Sequence, residues 1–260
     1  MSKYLVVVVV ALLFATVSHS QAVLPADIGT KVNGFQDDFS SYESVADLYA
    51  NGWKWFGGGT ANLVDGMLYM TSSNEPNHLL YVPFGDSVKG YNGTGNDTYQ
   101  EVLMHICVTA YGSDSRAGAA VRSDQRGING LLRGTGQFHM LNDTVEWQNN
   151  SSATYTKGEW YWIRVVYDAD ANRVTGSYWA DGTAEPEPTF TLAATSNITK
   201  DRNGWAGILV GNNAEFYVDY ILIKADGLPE ITVKYGEVPE PATMTLLALG
   251  GLALLRRKRA

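Results

Sequence analysis

An all-β sandwich or barrel of antiparallel strands is the fold this sequence predicts between about Val32 and Lys234, and three observations carry it. Short alternating runs rich in Tyr, Trp, Val and Thr recur between turns of Gly, Asn and Asp. No segment between the two ends sustains an apolar stripe at three- and four-residue spacing. The body left between the ends, roughly 215 residues, has the length of one sizeable β domain.

The chain opens on Lys3 and an apolar core from Tyr4 to Val17, followed by small and polar residues to Ala22. That is the pattern of a helical secretory signal peptide over residues 1–22, with small side chains placing the cut after Ser20 or after Ala22. Its core of about 14 residues falls short of the ~20 that a relaxed bilayer crossing needs, so cleavage is favoured over anchoring.

Within the body, Asp47 to Tyr49 and the region near Val88 allow single helical turns. Trp53 to Phe56 is a strand, followed by Gly57-Gly58-Gly59, a strand from Ala61 to Val64, an Asp65-Gly66 turn and a strand from Met67 to Thr71. Asp-Gly between two apolar runs is a strong hairpin signal. Further strands are Tyr99 to Val108, Ala117 to Arg122, Gln137 to Leu141 and Thr144 to Trp147, the last two turning at Asn142-Asp143. Tyr161, Ile163, Val165 and Tyr167 alternate with Trp162, Arg164, Val166 and Asp168, so the first set faces the core and Arg164 the opposite side. Arg173 to Trp179 pairs back as a hairpin that ends at Asp181-Gly182, and Pro186 and Pro188 interrupt any continuation. Ala206 to Val210 and Glu215 to Ile223 read as a closing pair joined by Gly211-Asn212-Asn213.

The formal charge is −8, and removing both basic ends makes the body more acidic still. This speaks against nucleic-acid phosphates and anionic lipid as partners. A single cysteine, Cys107, rules out an intrachain disulfide and sits in a run that reads as a buried strand, a core thiol. His78, His105 and His139 show no pair at metal-ligand spacing, and His105 and His139 read as solvent-facing strand positions. There is no Gly-x-Ser-x-Gly elbow. Glu101, Glu146, Glu159 and Glu215 stand alone, Glu185 and Glu187 share a Pro-rich loop, and all six read as solvated surface acids.

Aromatic residues point to a binding role. The chain holds 7 Trp and 15 Tyr. Sugars stack their C–H faces on such rings while polar side chains engage their hydroxyls, and Trp147, Trp162, Arg164 and Trp179 are the candidate carbohydrate platform.

The C-terminus carries Val238, then Pro239-Glu240-Pro241, an apolar run from Ala242 to Leu255, and the cluster Arg256, Arg257, Lys258, Arg259. The basic cluster holds the cytoplasmic side of a short membrane helix and leaves the body facing outward. Residues 238–260 closely resemble the PEP-CTERM sorting signal of certain Gram-negative bacteria. The resemblance implies processing by an exosortase near Pro239-Glu240-Pro241, a transient stay at the inner membrane, and a destination at the cell surface or in an exopolysaccharide matrix.

A second resemblance covers most of residues 32–234. Gly158 to Asp168, the returning strand to Gly182, Gly204-Trp205-Ala206-Gly207-Ile208 and Phe216 to Ile221 look like the laminin-G or concanavalin A-like jelly roll, and so do the opening Asp37-Asp38-Phe39 and the Trp53 to Leu68 hairpin. This implies a jelly-roll β-sandwich. It also implies a possible calcium ion where first and last strands meet, bound by Asp37 or Asp38 and Asp219. Asp219 shares its strand face with Tyr217, Ile221 and Ile223, where an isolated carboxylate is costly, so it needs a partner, a cation or a loop. Glucanases of this fold carry their acids as Glu-x-Asp-x-x-Glu, which is absent. The reading is therefore an exported, non-catalytic protein that binds polysaccharide or builds matrix, with signal peptidase and exosortase as processing partners. A glycan-cleaving enzyme of other layout and a protein–protein adhesion module are the rivals.

Overall fold

The computed structural model describes residues 23–72, 77–83, 98–124, 127–142, 145–194 and 204–235. The expected signal peptide and the tail from Pro239 to Arg259 lie outside these residues, as does the region near Val88. Among the described residues no helix is long and apolar enough to cross a membrane.

In chain order the elements are β1 (Lys31–Asp37), α1 (Val45–Ala50), β2 (Trp53–Phe56), β3 (Thr60–Val64), β4 (Met67–Ser72) and β5 (Asn77–Tyr81). Then follow β6 (Tyr99–Ala110), β7 (Arg116–Ser123), β8 (Ile128–Arg133), β9 (Gln137–Asn142) and β10 (Val145–Thr154). The remainder are β11 (Trp160–Asp168), β12 (Arg173–Ala180), β13 (Phe190–Leu192), β14 (Trp205–Gly211), β15 (Ala214–Ala225) and β16 (Glu230–Thr232). They build two antiparallel sheets. One has nine strands, running β13-β12-β11-β6-β15-β1-β16, with β4 added to β15 and β3 to β4. The other has seven, β10-β9-β8-β7-β14-β5-β2. The expected all-β sandwich is the fold.

Local signals explain most elements. Asp65 and Gly66 both take positive φ, 53° and 76°, which is the turn that lets β3 and β4 pair with Leu63 opposite Leu68. The β11–β12 hairpin runs in unbroken register from Tyr161 opposite Ala180 to Asp168 opposite Arg173. Tyr161, Ile163, Val165 and Tyr167 enter the core between the sheets, as their alternation requires. The single turn expected at Asp47 extends to α1, because Ser44 and Asp47 form a reciprocal capping box and Leu48 is buried.

Two connections differ from expectation. β14 and β15 do not pair with each other, since β14 lies between β7 and β5 in the seven-stranded sheet and β15 lies in the nine-stranded one. Asn212 and Asn213, at φ 54° and 63°, turn the chain from one sheet to the other. Likewise β2 and β3 belong to opposite sheets, and Gly57-Gly58-Gly59 crosses between them. Gly57 has φ 116° and no room for a side chain, because an added Cβ would fall 2.0 Å from Asn77 Oδ1. Strands β1, β5, β8, β13 and β16 were not expected. β5 and β8 are buried at nearly every position and so lack alternation, while β13 and β16 have three residues each.

All three described histidines are buried, contrary to the solvent-facing reading of His105 and His139. The cause is that the outward faces of both sheets are covered, so the polar side of a strand is not a wet side. His78 is fully enclosed, and burial pulls its pKa from 6.5 down to about 4. The unfolded chain takes up a proton near pH 6.5 while the folded chain refuses it until about 4. Stability is therefore whole above pH 6.5 and is lost as pH falls through this window, by about 3 kcal/mol. Denaturant melts at pH 7 and pH 4.5 will show this loss, and His78→Gln will flatten it.

Candidate functional site

The outward face of the nine-stranded sheet carries a row of rings, one from each of four adjacent strands. Tyr220 of β15 stands opposite His105 of β6, His105 opposite Trp162 of β11, and Trp162 opposite Trp179 of β12. His105 and Trp162 stack at 4.4 Å between ring centroids, and Trp162 and Trp179 at 6.4 Å. Trp160 stacks on His105 from the same strand as Trp162, at 4.6 Å. Tyr235, from the segment after β16, sits edge-on over Trp162 and Tyr220 at 5.0 and 5.1 Å. Trp162, Trp179 and Tyr220 form with Leu103, Leu222 and Val233 an apolar cluster separate from the core between the sheets, and Ile28, Val32, Ile231 and Tyr235 pack on it.

Polar groups are knotted around His105. Its Nδ1 lies 2.8 Å from Asp219 Oδ1 and 3.1 Å from the Tyr235 hydroxyl, which donates to Asp219 Oδ2 at 3.4 Å. Its Nε2 lies 3.6 Å from Asp181 Oδ1, which also accepts the Trp162 indole N–H at 3.2 Å. Burial, and then the Asp219 carboxylate, push the Tyr235 phenol upward in pKa, and the same two causes raise the Cys107 thiol. Cys107 is a buried thiol, as expected.

Asp219 reaches this knot through a β-bulge. The β15–β6 register shifts between Val218 and Tyr220, leaving Asp219 as the extra residue. Inward residues are Phe216 and Val218 before the bulge but Ile221 and Ile223 after it. The expectation that Asp219 shares a face with Ile221 and Ile223 is thereby corrected, because one inserted residue inverts the alternation. Asp219 does have a partner, and it is His105.

Arg164 lies on the same outward face, one pair of residues along β11. Its Nη2 donates both to Asp27 Oδ2 at 2.6 Å and to Glu185 Oε2 at 2.9 Å, and its Nε is 2.6 Å from Glu185 Oε1. Its Nη1 pairs with Glu101, and Lys224 bridges Asp27 at 2.6 Å and Glu101 at 2.8 Å. Burial alone would lower the Arg164 pKa, yet the three carboxylates raise it. For Asp27, burial pushes upward but Arg164 and Lys224 prevail and hold its carboxyl below the usual range. Glu101 is buried inside this network, which corrects its reading as a solvated acid.

The four candidate carbohydrate residues therefore separate. Trp162 and Trp179 are brought together but at 0% and 5% exposure, and Arg164 is occupied by carboxylates. Trp147 belongs to β10 in the opposite sheet. Trp162, Trp179 and Arg164 form no open platform, since a Trp on an outward strand position is covered whenever a further layer packs there.

The three candidate metal ligands also separate. Asp37 accepts from Phe39 N at 2.8 Å, Trp53 Nε1 at 2.8 Å and the Tyr42 hydroxyl at 2.5 Å. Burial raises its pKa in spite of these donors. Asp38 accepts from the amide and hydroxyl of Ser40. Among the described residues there is no group of three His, Cys, Asp or Glu side chains that could hold a metal ion. This donor set does not fit a calcium ion.

Beside Trp179 the sheet edge opens. β13 pairs with β12 only from Val174 to Gly176, so among the described residues Tyr178 to Ala180 form an unpaired edge. A cleft of about 520 Å³ lies there, walled by Tyr161, Tyr178 and Trp179, by Ala153 and Thr154 of the other sheet, and by Thr183, Ala184 and Pro186 of the following loop. The Tyr178 hydroxyl donates to Thr154 O at 2.9 Å and ties the sheets together at its floor. None of its described lining residues is charged. Sequence reasoning found Trp179 but missed Tyr178 and the loop, although the hairpin register already places Tyr178 on the core side and the prolines mark where the chain leaves the sheet.

Residues 237–259 match the PEP-CTERM protein-sorting motif, so the chain carries an exosortase-type export signal. No curated protein matches the sequence. Among solved structures, the chain is similar to a protein of unknown function from Shewanella oneidensis MR-1, at 15% identity and TM-score 0.52, over 92% of this chain and 98% of that one. It is similar to a GH43 protein from Bacillus licheniformis at 11% identity and TM-score 0.50, over 73% of this chain and 39% of that one. A Lotus tetragonolobus seed lectin follows at 14% identity and TM-score 0.49, over 76% and 100%. At these identities the likeness is one of fold alone.

Because the aspartates are already satisfied by protein donors, melting curves with and without a chelator will coincide. A midpoint lowered by chelator would show that the folded state binds a metal and that the donor set has been misread.

Proposed function

We propose that this protein is delivered to the cell surface or extracellular matrix by its sorting signal and there binds an uncharged polysaccharide without cleaving it. The observation that carries the reading is the edge cleft. Its size suits one or two sugar rings within the usual range of ligand pockets. Half-buried Tyr178 supplies aromatic surface, Thr154, Thr183 and Thr189 supply hydroxyls, and the unpaired edge supplies backbone groups. An uncharged lining favours a neutral chain over a uronate or sulfate, because a buried anion without a counter-charge is costly. Glycoside hydrolysis needs two carboxyl groups about 5 Å or about 6.5–9.5 Å apart across the bond. No described lining residue supplies one, which supports binding over hydrolysis.

A glycan array of neutral and acidic polysaccharides tests this. The expected result is binding to a neutral glycan that falls at least about tenfold in Ala184→Trp, a substitution that fills the cleft from an exposed loop position. Folded protein that binds no sugar would sink the reading and favour protein–protein adhesion. Release of new reducing ends would make the protein an enzyme.

A further inference from the structure

The cleft wall and the start of the mature chain are held by one guanidinium. Glu185 lies in the loop between β12 and β13, flanked by Ala184 and Pro186, which wall the cleft. Asp27 lies in the segment that precedes β1, whose Ile28 packs on the apolar cluster of the outward face. Both carboxylates accept from the same nitrogen of Arg164, Nη2, at 2.9 and 2.6 Å.

We propose that Arg164 is the positioning residue of the cleft, and that docking of the N-terminal segment through Asp27 sets the order of the cleft loop through Glu185. The assignment of a ligand to the cleft rests on the function proposed above, whereas the coupling itself does not. Three features support it. Glu101 takes Nη1, while Glu185 accepts from Nη2 beside Asp27 and brings its other oxygen within 2.6 Å of Nε, so the loop carboxylate is held against the same side of the guanidinium that holds the N-terminal segment. The network is sheltered, with Arg164, Asp27 and Lys224 side chains only 12%, 14% and 15% exposed, so screening by water is weak. Undocking Asp27 admits water to Arg164 and weakens its hold on Glu185. The Asp27 segment also lies immediately after the expected signal-peptide cuts, so binding competence is tied to the settling of the new N-terminus on the sheet.

Coupling of this kind is reciprocal, and that makes it testable without a ligand. Hydrogen exchange is followed by mass spectrometry on the full-length chain in detergent, for wild type, Asp27→Asn, Glu185→Gln and Lys31→Ala. Lys31 forms an exposed pair with Glu230 and serves as the control. Asp27→Asn is expected to speed exchange across residues 181–189 at least about tenfold, and Glu185→Gln, a change on an exposed loop that leaves both sheets intact, to speed it across residues 23–30. Lys31→Ala changes neither. An unaltered loop in Asp27→Asn, or an unaltered N-terminal segment in Glu185→Gln, overturns the proposal. Failure on the glycan array with coupled exchange would remove the ligand and leave the coupling standing.

Discussion

The structure turns on a face that an isolated sandwich would leave wet. The outward side of the nine-stranded sheet presents Trp162, Trp179, Tyr220, Leu103 and Leu222, all buried. Each large apolar side chain removed from water contributes on the order of 2–3 kcal/mol, so this row cannot be left uncovered without loss. The two ends of the body provide the cover. The segment up to Thr30 and the strap from Glu230 to Tyr235 lie against each other, with Gly29 N donating to Val233 O at 2.9 Å and Val233 N to Thr30 O at 2.8 Å. The segment before β1 and the strap therefore lie side by side, and the sorting motif begins two residues after Tyr235 in the sequence.

Each covering segment is fixed by polar side chains of the sheet beneath it. Arg164 and Lys224 hold Asp27 of one, and the His105–Asp219 pair receives Tyr235 of the other. The bulge at Asp219 serves the second contact, since it leaves Asp219 and its neighbour Tyr220 both on the outward side, where unbroken alternation would place only one of them. Polar groups and aromatic rings thus work together, the rings excluding water and the polar contacts choosing which segment sits where. The edge cleft begins where this covered surface ends, at Trp179, and its wall shares Arg164 with the cover.

Much of the fold was legible. The Asp65-Gly66 turn, the alternation in Tyr161 to Tyr167 and the returning strand to Trp179 follow from local rules, and each stands as expected. What failed were inferences that needed the third layer. A strand position opposite the core reads as solvent-facing, and so His105, Glu101 and the Trp162–Trp179 pair were read as wet, although terminal segments remote in sequence bury them. Crossings between sheets failed for a similar reason, because Gly57-Gly58-Gly59 and Gly211-Asn212-Asn213 have the chemistry of tight turns and only the strand partners show that they span the sandwich. The Asp219 bulge inverts alternation within one strand, and no residue type around it announces this. The sorting signal was legible because it is read from local sequence.

Tyr235 is the residue on which the cover is best judged, because it belongs to the strap and touches His105, Trp162 and Tyr220 at once. Equilibrium unfolding of Tyr235→Ala measures its weight. If the strap roofs a genuine second core, the loss is about 2–4 kcal/mol, the size seen for truncation of a buried aromatic. A change within about 0.5 kcal/mol, as for an ordinary surface position, would contradict the account.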